Sequence, residues 1–199
     1  MTWSVALAVV AAYVVGSIDF AVLISRMHGV DIREVGSGNP GASNVLRSIG
    51  RLPAAMVMTG DTLKGVIGAA MGMVASGSAD PQVEWALLAG FAAVIGHCYP
   101  IFHRFRGGKG AATGLGILLF TVPWVGLIAV VGWAVLVKLT KTASISSLIM
   151  MAVSIPLAIW QGVVGMGLVW FSATVGLVIW RHRGNIQRVF RGSEKKVQT

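Results

Sequence analysis

The chain has 199 residues, of which 55% are hydrophobic and 12% are charged, and its mean hydropathy is +0.78. A soluble domain carries about a quarter charged residues, because its surface needs polar cover. The composition also excludes a disordered chain, and the single cysteine, Cys98, excludes a disulfide scaffold. A multi-pass membrane protein remains, in which the net charge of +9 indicates basic cytoplasmic loops rather than nucleic-acid binding.

Five apolar runs are long enough to cross a membrane as helices, which takes about 17–25 residues. The first run contains one charge, Asp19, and no basic segment precedes it. It is therefore unlike a cleaved signal peptide, and we interpret it as a true span. The runs are residues 3–24, 52–75, 85–102, 110–137 and 145–180.

The last two runs determine the number of crossings. As one helix, residues 145–180 would measure about 54 Å, well beyond the ~30 Å hydrocarbon core. We therefore predict a turn at Gln161–Gly162. Residues 110–137 fit either one tilted helix or two shorter helices that break near Pro123. The break gives seven crossings and places 15 of the 16 basic residues on one face, which the positive-inside rule makes cytoplasmic.

Seven crossings also fix the orientation of the chain. The C-terminus then lies on the cytoplasmic face, while the N-terminus and the acidic residues Asp80 and Glu84 lie outside. We predict an all-α integral membrane protein with about seven transmembrane helices, in which residues 1–199 form a single membrane-embedded domain. The basic cytoplasmic segments are residues 26–51, 104–109, 138–141 and 181–196.

The first polar segment on this face, residues 35–47, is rich in glycine. Gly36, Gly38 and Gly41 have the spacing of a dinucleotide-binding loop, but no strand precedes them and no βαβ unit follows, so we reject that function. Glycines still let backbone N–H groups converge on an anion, and Arg47 can donate two hydrogen bonds to a phosphate. A solvated turn is the alternative. Two further side-chain donors are Ser37 and Asn39.

The second polar segment, residues 96–110, places three glycines around Lys109. It is not a Walker A loop, yet a flexible basic loop suits a phosphate. A positive-inside anchor is the alternative, and it explains the arginines without a site. His97 and His103 have the chemistry of metal ligands, but no carboxylate cluster joins them, which disfavours a metal. The glycines are Gly107, Gly108 and Gly110.

The third polar segment, residues 180–194, contains His182 and Asn185, which share a helical face if the last span continues through them. We interpret its arginines as a basic amphipathic tail on anionic lipid. These arginines are Arg181, Arg183, Arg188 and Arg191.

Two smaller polar features belong to the spans themselves. Asp61 and Lys64 lie about one turn apart inside the second run, where charges are costly and are usually paired or functional. A structural ion pair and a functional role both stay open. Three serines at the start of the sixth span can cap the helix or donate to a ligand. They are Ser144, Ser146 and Ser147.

Together these segments indicate a cationic, hydrogen-bond-rich site at the cytoplasmic membrane surface. Its ligand should be one or two small phosphate-bearing molecules next to an apolar group. No hydrolase-like Ser/His/Asp set occurs, the His-x4-Asp pattern of many lipid acyltransferases is absent, and the loops hold no obvious carboxylate base. A transporter of organophosphates or other anions is the alternative, although a transporter needs access from both faces.

The three polar segments resemble the signature motifs of one family. The order and spacing of these motifs, and an Asp-x-x-Lys-Gly element at residues 61–65, are similar to those of the bacterial acyl-phosphate:glycerol-3-phosphate acyltransferases (PlsY). The resemblance spans nearly the whole chain. The motifs are GSGNPGASNVLR at residues 36–47, GHCYPIFHRFRGGKG at 96–110 and HRGNIQRVFRGSE at 182–194.

The resemblance implies a reaction. An acyl group would pass from acyl phosphate to the 1-hydroxyl of glycerol 3-phosphate, giving lysophosphatidic acid and phosphate in the first committed step of phospholipid synthesis. Acyl phosphate is already activated, so no covalent intermediate, cofactor or metal is implied. The phosphate of the acyl phosphate would accept the hydroxyl proton, with His182 as general base the alternative.

The resemblance also implies roles for individual residues. Ser37 and its loop would hold acyl phosphate, while Lys109 would bind chiefly the phosphate of glycerol 3-phosphate. The implied catalytic residues are Ser37, Arg47, Lys109, His182 and Asn185. The implied substrate-binding residues are Gly36, Gly38, Asn39, Gly41, Asn44, Gly107, Gly108, Gly110 and Ser144, and those in supporting roles are Asp61, Lys64, His97 and Glu194.

The implied surroundings of the enzyme follow from the same resemblance. The enzyme would lie in the bacterial cytoplasmic (inner) membrane, with its active site on the cytoplasmic face. We expect a monomer, because nothing in the sequence demands a larger assembly. Its partners would be acyl phosphate, glycerol 3-phosphate and membrane lipid, and a soluble enzyme that makes acyl phosphate is a further candidate. No nucleic acid would be involved.

Overall fold

The computed structural model describes residues 2–77 and 82–197, among which no strand occurs. Asp80, which we predicted on the outer face, lies outside these residues. A short 3-10 helix covers Ile101–His103. The α-helices are α1 (Trp3–Gly16), α2 (Phe20–Met27), α3 (Ala42–Ser48), α4 (Arg51–Ser76), α5 (Gln82–Cys98), α6 (Ala111–Thr121), α7 (Pro123–Thr140), α8 (Ala143–Trp160), α9 (Gly165–Arg181) and α10 (Arg183–Phe190).

The helices have the length and surface of membrane spans. Four helical segments in the described residues are long and apolar enough to cross a membrane, and α6 and α9 are apolar but shorter. Large apolar side chains face outward, such as Val74 and Leu139, which are 80% and 74% exposed. Such surfaces suit contact with lipid. The seven crossings and their orientation stay predictions. The four segments are Trp3–Met27, Gln82–His103, Pro123–Thr140 and Ala143–Trp160.

The first predicted span, residues 3–24, is not one continuous helix, because the chain breaks between α1 and α2. Asp19 begins α2 by accepting a hydrogen bond from the Val22 N–H at 3.1 Å. The carbonyl of Ile18, which the break frees, accepts a hydrogen bond from Lys64 Nζ at 2.9 Å. A break at membrane depth is tolerated when the protein pairs the freed groups in this way.

The central helix is α4, which packs against α1, α5 and α6. Glycines allow this close approach, because a Cβ at Gly72 would overlap the Trp85 carbonyl of α5. A Cβ at Gly65 would likewise overlap the Thr113 carbonyl of α6. In lipid the hydrophobic effect does not drive helices together. Small residues at helix crossings stabilise the association instead, because they allow close van der Waals packing. The packing thus places the charged pair of α4 inside the bundle.

Both long apolar runs turn where the sequence predicted. A break at Val122 separates α6 from α7, which begins with Pro123 and packs back on α6. Proline suits the first position of a helix, where no N–H is needed. Between α8 and α9 the chain turns at Gln161–Gly162, where Gly162 has a φ of +85° that glycine adopts readily.

Candidate active site

A cavity of about 450 Å³ lies among α3, α4, α6, α7, α8 and the C-terminal segment. Its lining follows α6 from Gly110 to Leu119, about 14 Å along the helix. Cations such as Arg47 and Lys109 line its polar part, and side chains such as Trp133 line its apolar part. A second cavity of about 300 Å³ shares Lys109 and is mainly basic and polar. The two together could hold a polar and an amphipathic ligand.

The structure brings most of the predicted site residues to the larger cavity from distant parts of the chain. The predicted residues that line it are Ser37, Asn39, Gly41, Asn44, Arg47, Asp61, His97, Lys109, Gly110, Ser144, His182, Asn185 and Glu194. Those that do not line it are Gly36, Gly38, Lys64, Gly107 and Gly108.

Lys109 is a half-buried cation between the two cavities. Its Nζ donates a hydrogen bond to Asn185 Oδ1 at 2.5 Å. Burial lowers the pKa of Lys109 to about 8, with Glu194 opposing the shift and neighbouring arginines adding to it. The ammonium is therefore mostly charged at neutral pH, and its charge is only partly balanced. It can bind a phosphate through charge-assisted hydrogen bonds.

Glu194 joins the polar side chains into one network. Its Oε1 accepts hydrogen bonds from Ser144 Oγ at 2.8 Å and from Asn185 Nδ2 at 2.5 Å. Its Oε2 accepts one from Arg188 Nε at 2.8 Å. Burial raises the pKa of Glu194, but these hydrogen-bond donors outweigh that effect and hold the pKa below its ordinary value. The carboxylate therefore positions its neighbours and is poorly suited to act as a base.

His182 lies at the junction of α9 and α10 and is 4% exposed. Its Nδ1 lies 2.7 Å from the Val178 carbonyl oxygen. Because a carbonyl only accepts, Nδ1 carries the hydrogen. Burial and the nearby Lys109 lower the pKa of His182 to about 4. The ring is therefore neutral at pH 7, and Nε2 keeps a lone pair for a hydrogen-bond donor.

Arg47 brings an incompletely satisfied guanidinium to the cavity. Its Nε is buried and has no hydrogen-bond partner within the described chain. Burial lowers the pKa of Arg47, while the nearby Glu194 raises it. Because an unpaired buried donor costs about 1–3 kcal/mol, an anion that accepts from this group would bind favourably.

The loop at residues 36–41 is organised by Asn44, which is 1% exposed. Its Nδ2 donates to the carbonyls of Ile32 and Val35 at 3.1 and 3.0 Å. Its Oδ1 accepts a hydrogen bond from the Ser37 N–H at 2.9 Å. These bonds make Asn44 an organiser of the loop, and a direct ligand contact from it stays a prediction.

Gly36 and Gly38 turn this loop and do not line the cavity. Their φ angles of +60° and +68° lie in the left-handed region that favours glycine. A Cβ at Gly36 would also overlap Asn44 Oδ1. These two glycines therefore shape the loop around Ser37, and their contact with substrate stays a prediction.

The comparison with known proteins decides the family. The glycerol-3-phosphate acyltransferase family model matches residues 6–192. This chain belongs to the glycerol-3-phosphate acyltransferase family. It is 41% identical over 196 residues to the glycerol-3-phosphate acyltransferase of Pseudomonas aeruginosa (strain LESB58), covering 98% of this chain and 99% of that relative. It is 42% identical over 200 residues to that of Pseudomonas fluorescens (strain Pf0-1), with the same coverage.

Solved structures of the family are also similar. The glycerol 3-phosphate form of PlsY, an integral membrane glycerol 3-phosphate acyltransferase, superposes with a TM-score of 0.90 at 34% identity. The lysophosphatidic acid form superposes with a TM-score of 0.88 at 33% identity. Each match covers 98% of this chain and 96% of the PlsY chain. With its apolar helices, this glycerol-3-phosphate acyltransferase family member is a multi-pass membrane protein.

In this family member, backbone hydrogen bonds hold the loop that precedes Lys109. The Gly107 N–H donates to the Cys98 carbonyl at 3.2 Å, and the Gly108 N–H donates to the His97 carbonyl at 3.0 Å. Both N–H groups are therefore already paired within the protein. These hydrogen bonds fix the segment that carries Lys109, and a contact of Gly107 or Gly108 with substrate stays a prediction.

Arg181 and Arg188 do not belong to a lipid-facing tail, which corrects our interpretation. Arg181 donates to the carbonyls of Gly107 and Gly108 at 2.8 and 3.0 Å, and its guanidinium lies 5.0 Å from the Tyr99 ring centroid. Arg188 lines both cavities. No local signal separates these two arginines from the exposed ones, because all four occupy the same basic segment.

The Asp61–Lys64 pair is present as an ion pair of 2.8 Å, and both residues are buried. His97 Nδ1 lies 3.5 Å from Asp61 Oδ1. Asp61 and His97 line the cavity, whereas Lys64 points towards the break after α1. Within residues 2–77 and 82–197, no group of three His, Cys, Asp or Glu side chains is arranged to hold a metal.

The three serines of α8 have different partners, and none of them caps the helix. Ser144 donates to Glu194, Ser146 donates to the Thr142 carbonyl at 3.0 Å, and Ser147 accepts a hydrogen bond from Trp133 Nε1 at 3.0 Å. α8 has no side-chain cap. Of the two predicted roles, only donation towards the site therefore remains for Ser144.

Sequence reasoning missed the apolar lining and one further cation. Ala111, Leu115 and Leu119 line the cavity from α6 and are spaced four residues apart, a periodicity that marks one helical face. Lys195 also lines the cavity, and its Nζ donates to the Gly36 carbonyl at 2.7 Å. The α6 face was detectable from its spacing, but the position of Lys195 depends on the fold of the C-terminus.

Proposed function

We propose that this chain transfers an acyl group from acyl phosphate to the 1-hydroxyl of glycerol 3-phosphate. The products would be 1-acyl-glycerol 3-phosphate (lysophosphatidic acid) and phosphate, in the first committed step of phospholipid synthesis. The observation that carries the proposal is the cavity that joins a cationic part to an apolar part. The glycerol 3-phosphate and lysophosphatidic acid forms of PlsY support the acceptor and the product.

The two cavities suggest how the substrates divide the site. The basic cavity next to Lys109 suits the phosphate of glycerol 3-phosphate. Arg47 and the loop around Ser37 suit the phosphate of the acyl phosphate, with Ser37 as a hydrogen-bond donor and not as a nucleophile. The apolar lining along α6 suits the acyl chain, since burying it releases water from apolar surface.

In the proposed reaction the glycerol hydroxyl oxygen attacks the acyl carbonyl carbon, and the bond from that carbon to the phosphate oxygen breaks. The departing phosphate takes the hydroxyl proton, so no covalent enzyme intermediate forms. A phosphate ester has a second pKa of about 6, whereas the pKa of His182 is about 4. The phosphate is therefore the better proton acceptor, and His182 Nε2 would orient the hydroxyl.

Holding two substrates in place supplies most of the catalysis that this mechanism needs. Orientation contributes up to about 7–11 kcal/mol. Cations such as Lys109 and Arg47 would stabilise the negative charge that develops on the carbonyl oxygen and the phosphate. Since acyl phosphate is a mixed anhydride, the proposed reaction requires neither cofactor nor metal.

We further propose that the protein is a monomer with seven crossings in the bacterial inner membrane and that its site faces the cytoplasm. The support is that 15 of the 16 basic residues lie in segments that seven crossings place on one face. Acyl phosphate would then arrive from the cytoplasm, where a soluble enzyme could supply it.

The decisive experiment measures phosphate release by the protein purified in detergent. Release should require acyl phosphate and glycerol 3-phosphate together, and Arg47→Ala and Lys109→Ala should each lower kcat/KM by about 100-fold or more. Arg191→Ala is the matched control, since Arg191 is an exposed arginine outside the cavity lining. No release, combined with uptake of glycerol 3-phosphate into proteoliposomes, would instead support a transporter.

A further inference from the structure

Arg33 connects two loops that carry cavity residues, although it lines neither cavity itself. Its Nη2 donates a hydrogen bond to the Arg106 carbonyl oxygen at 2.9 Å. The same atom lies 3.3 Å from Asp19 Oδ2 in an ion pair. Its backbone N–H donates to Asp31 Oδ1 at 3.0 Å. One guanidinium nitrogen thus joins the segment after α2 to the segment after α5.

The anchor of Arg33 is itself fixed. Asp19 is 7% exposed, and its second oxygen, Oδ1, accepts the hydrogen bond that begins α2. The neighbouring Ile18 carbonyl accepts a hydrogen bond from Lys64 of α4. Because both carboxylate oxygens are engaged and the adjacent backbone is tied to the central helix, Asp19 offers Arg33 a rigid counter-charge.

Arg33 and Arg106, which its side chain contacts, lie just before the two proposed phosphate-binding loops, residues 36–41 and 107–110. Arg33 precedes the loop at residues 36–41 by three residues, and Arg106 precedes Lys109 by three residues. The loop also packs directly on Arg33, since a Cβ at Gly38 would lie 3.0 Å from the Arg33 carbonyl oxygen. Three residues span at most about 11 Å, so a movement of Arg33 or Arg106 would also displace the cavity-lining residues of the loop that follows it.

The segment that ends at Arg106 is strained. Arg104 and Phe105 have φ angles of 53° and 60°, in the left-handed region that residues other than glycine avoid. Such backbone persists where its surroundings over-determine it, and it clusters at functional sites. The Arg33 bond to the Arg106 carbonyl is one tether, and the bond from the Phe105 N–H to the Pro100 carbonyl at 3.0 Å is another.

We propose that Arg33 is a positioning residue that sets the separation between the two phosphate-binding loops, with Asp19 as its counter-charge. The kinetic consequence rests on the proposed function, whereas the ordering of the loops is a property of the protein alone. A misplacement of 1 Å far from the chemistry can cost about 100-fold in rate. The reaction should therefore depend on Arg33 although no substrate touches it.

The kinetic test compares Arg33→Met and Arg33→Lys with Arg26→Met, which removes an exposed arginine of α2. Arg33→Met should raise KM for both substrates and lower kcat/KM about 10- to 100-fold. Arg33→Lys, which keeps the charge, should recover part of this loss, and Arg26→Met should change neither KM. A merely structural role would reduce the amount of folded enzyme at unchanged KM. That result would overturn the proposal.

Hydrogen–deuterium exchange provides a test that does not need activity. Arg33→Met should speed exchange about tenfold or more in residues 35–41 and 105–110, while α4 and the Arg26→Met protein stay like the wild type. Asp19→Asn should give a smaller effect in the same two loops. Unchanged exchange in these loops overturns the positioning role. If the wild-type protein shows no acyl transfer but Arg33→Met still speeds exchange in these loops, the positioning role is supported and only the proposed function is contradicted.

Discussion

At the scale of the residue, burial shifts two neighbouring groups in the same direction with different results. The pKa of Lys109 falls to about 8, which leaves the ammonium charged at neutral pH. The pKa of His182 falls to about 4, which leaves the ring neutral. The polar part of the cavity thus combines a cation for a phosphate with a neutral acceptor for a hydroxyl.

The pKa of Lys109 predicts an alkaline limb in the activity. The charged form is lost as the pH rises through about 8 in the free protein. We expect kcat/KM for glycerol 3-phosphate to fall about tenfold per pH unit above that point, chiefly through KM. The measurement is a pH profile between pH 6 and 9.5, with Lys109→Arg as the comparison, because arginine stays charged throughout. A wild-type profile that is flat to pH 9.5 would contradict this assignment.

Replacing His182 with asparagine separates orientation from proton transfer. An orienting role predicts that His182→Asn lowers kcat by about tenfold or less while KM for glycerol 3-phosphate rises, because the amide can still accept a hydrogen bond. A general base contributes typically 10²–10⁴-fold. Single-turnover and steady-state rates at saturating substrates make the distinction. A collapse of kcat by that factor at unchanged KM would mean that His182 takes the proton.

At the scale of the element, helix ends and helix crossings place the site. The break between α1 and α2 is stabilised by Asp19 and Lys64, and the close contacts of α4 with its neighbours depend on glycines. The break exposes the Ile18 carbonyl inside the bundle, and the close packing of α4 buries Asp61 and Lys64. Lys64 pairs with both the carbonyl and the carboxylate. The adjacent positions of Asp61 and His97 in the cavity lining are therefore a consequence of how α4 and α5 pack.

A methyl group at the α4–α5 crossing should loosen the bundle. Gly72→Ala places a Cβ against the Trp85 carbonyl and should destabilise the protein by about 1–3 kcal/mol. Thermal unfolding in detergent measures the effect. The matched control is Gly176→Ala in α9, where a Cβ meets no atom within 4 Å and helix propensity favours alanine by up to about 1 kcal/mol. Equal Tm values for the two variants would contradict the close contact of α4 with α5 at Gly72.

At the scale of the whole molecule, the basic residues are concentrated in a few segments of a largely apolar chain. Four segments hold 15 of the 16 Lys and Arg residues, and three of these segments, residues 26–51, 104–109 and 181–196, contribute to the lining of the larger cavity. In the proposed topology the same asymmetry would serve two purposes, since positive loops would stay on the cytoplasmic side and would attract anionic substrates. Site and topology are therefore linked, and a test of one bears on the other.

Cysteine labelling tests this orientation directly. The native Cys98 is fully buried and should not react, so single cysteines can be introduced at exposed positions. In intact cells, a membrane-impermeant maleimide should label Gln161→Cys and Thr2→Cys. Arg191→Cys should react only after the cells are opened. Labelling of Arg191→Cys in intact cells would reverse the proposed topology.

Several features of this protein could be derived from sequence because they are local. Composition and the lengths of the apolar runs predicted a helical membrane protein, including the turns at Gln161–Gly162 and near Pro123. The three polar motifs identified the family, and they contain eleven of the thirteen predicted residues that line the cavity; the other two are Asp61 and Ser144. A run of apolar residues and a cluster of glycines carry their physical meaning within a few neighbouring positions.

Tertiary structure decided the features that depend on partners far away in the chain. The carbonyls of Gly107 and Gly108 accept hydrogen bonds from Arg181, Glu194 meets Ser144 across 50 positions, and Lys64 supports the break after α1. Each of these depends on which helices pack together, because a buried polar group takes the nearest available partner and sequence spacing does not say which partner that is. The residue types defined what the site could bind, and packing defined which of them face it.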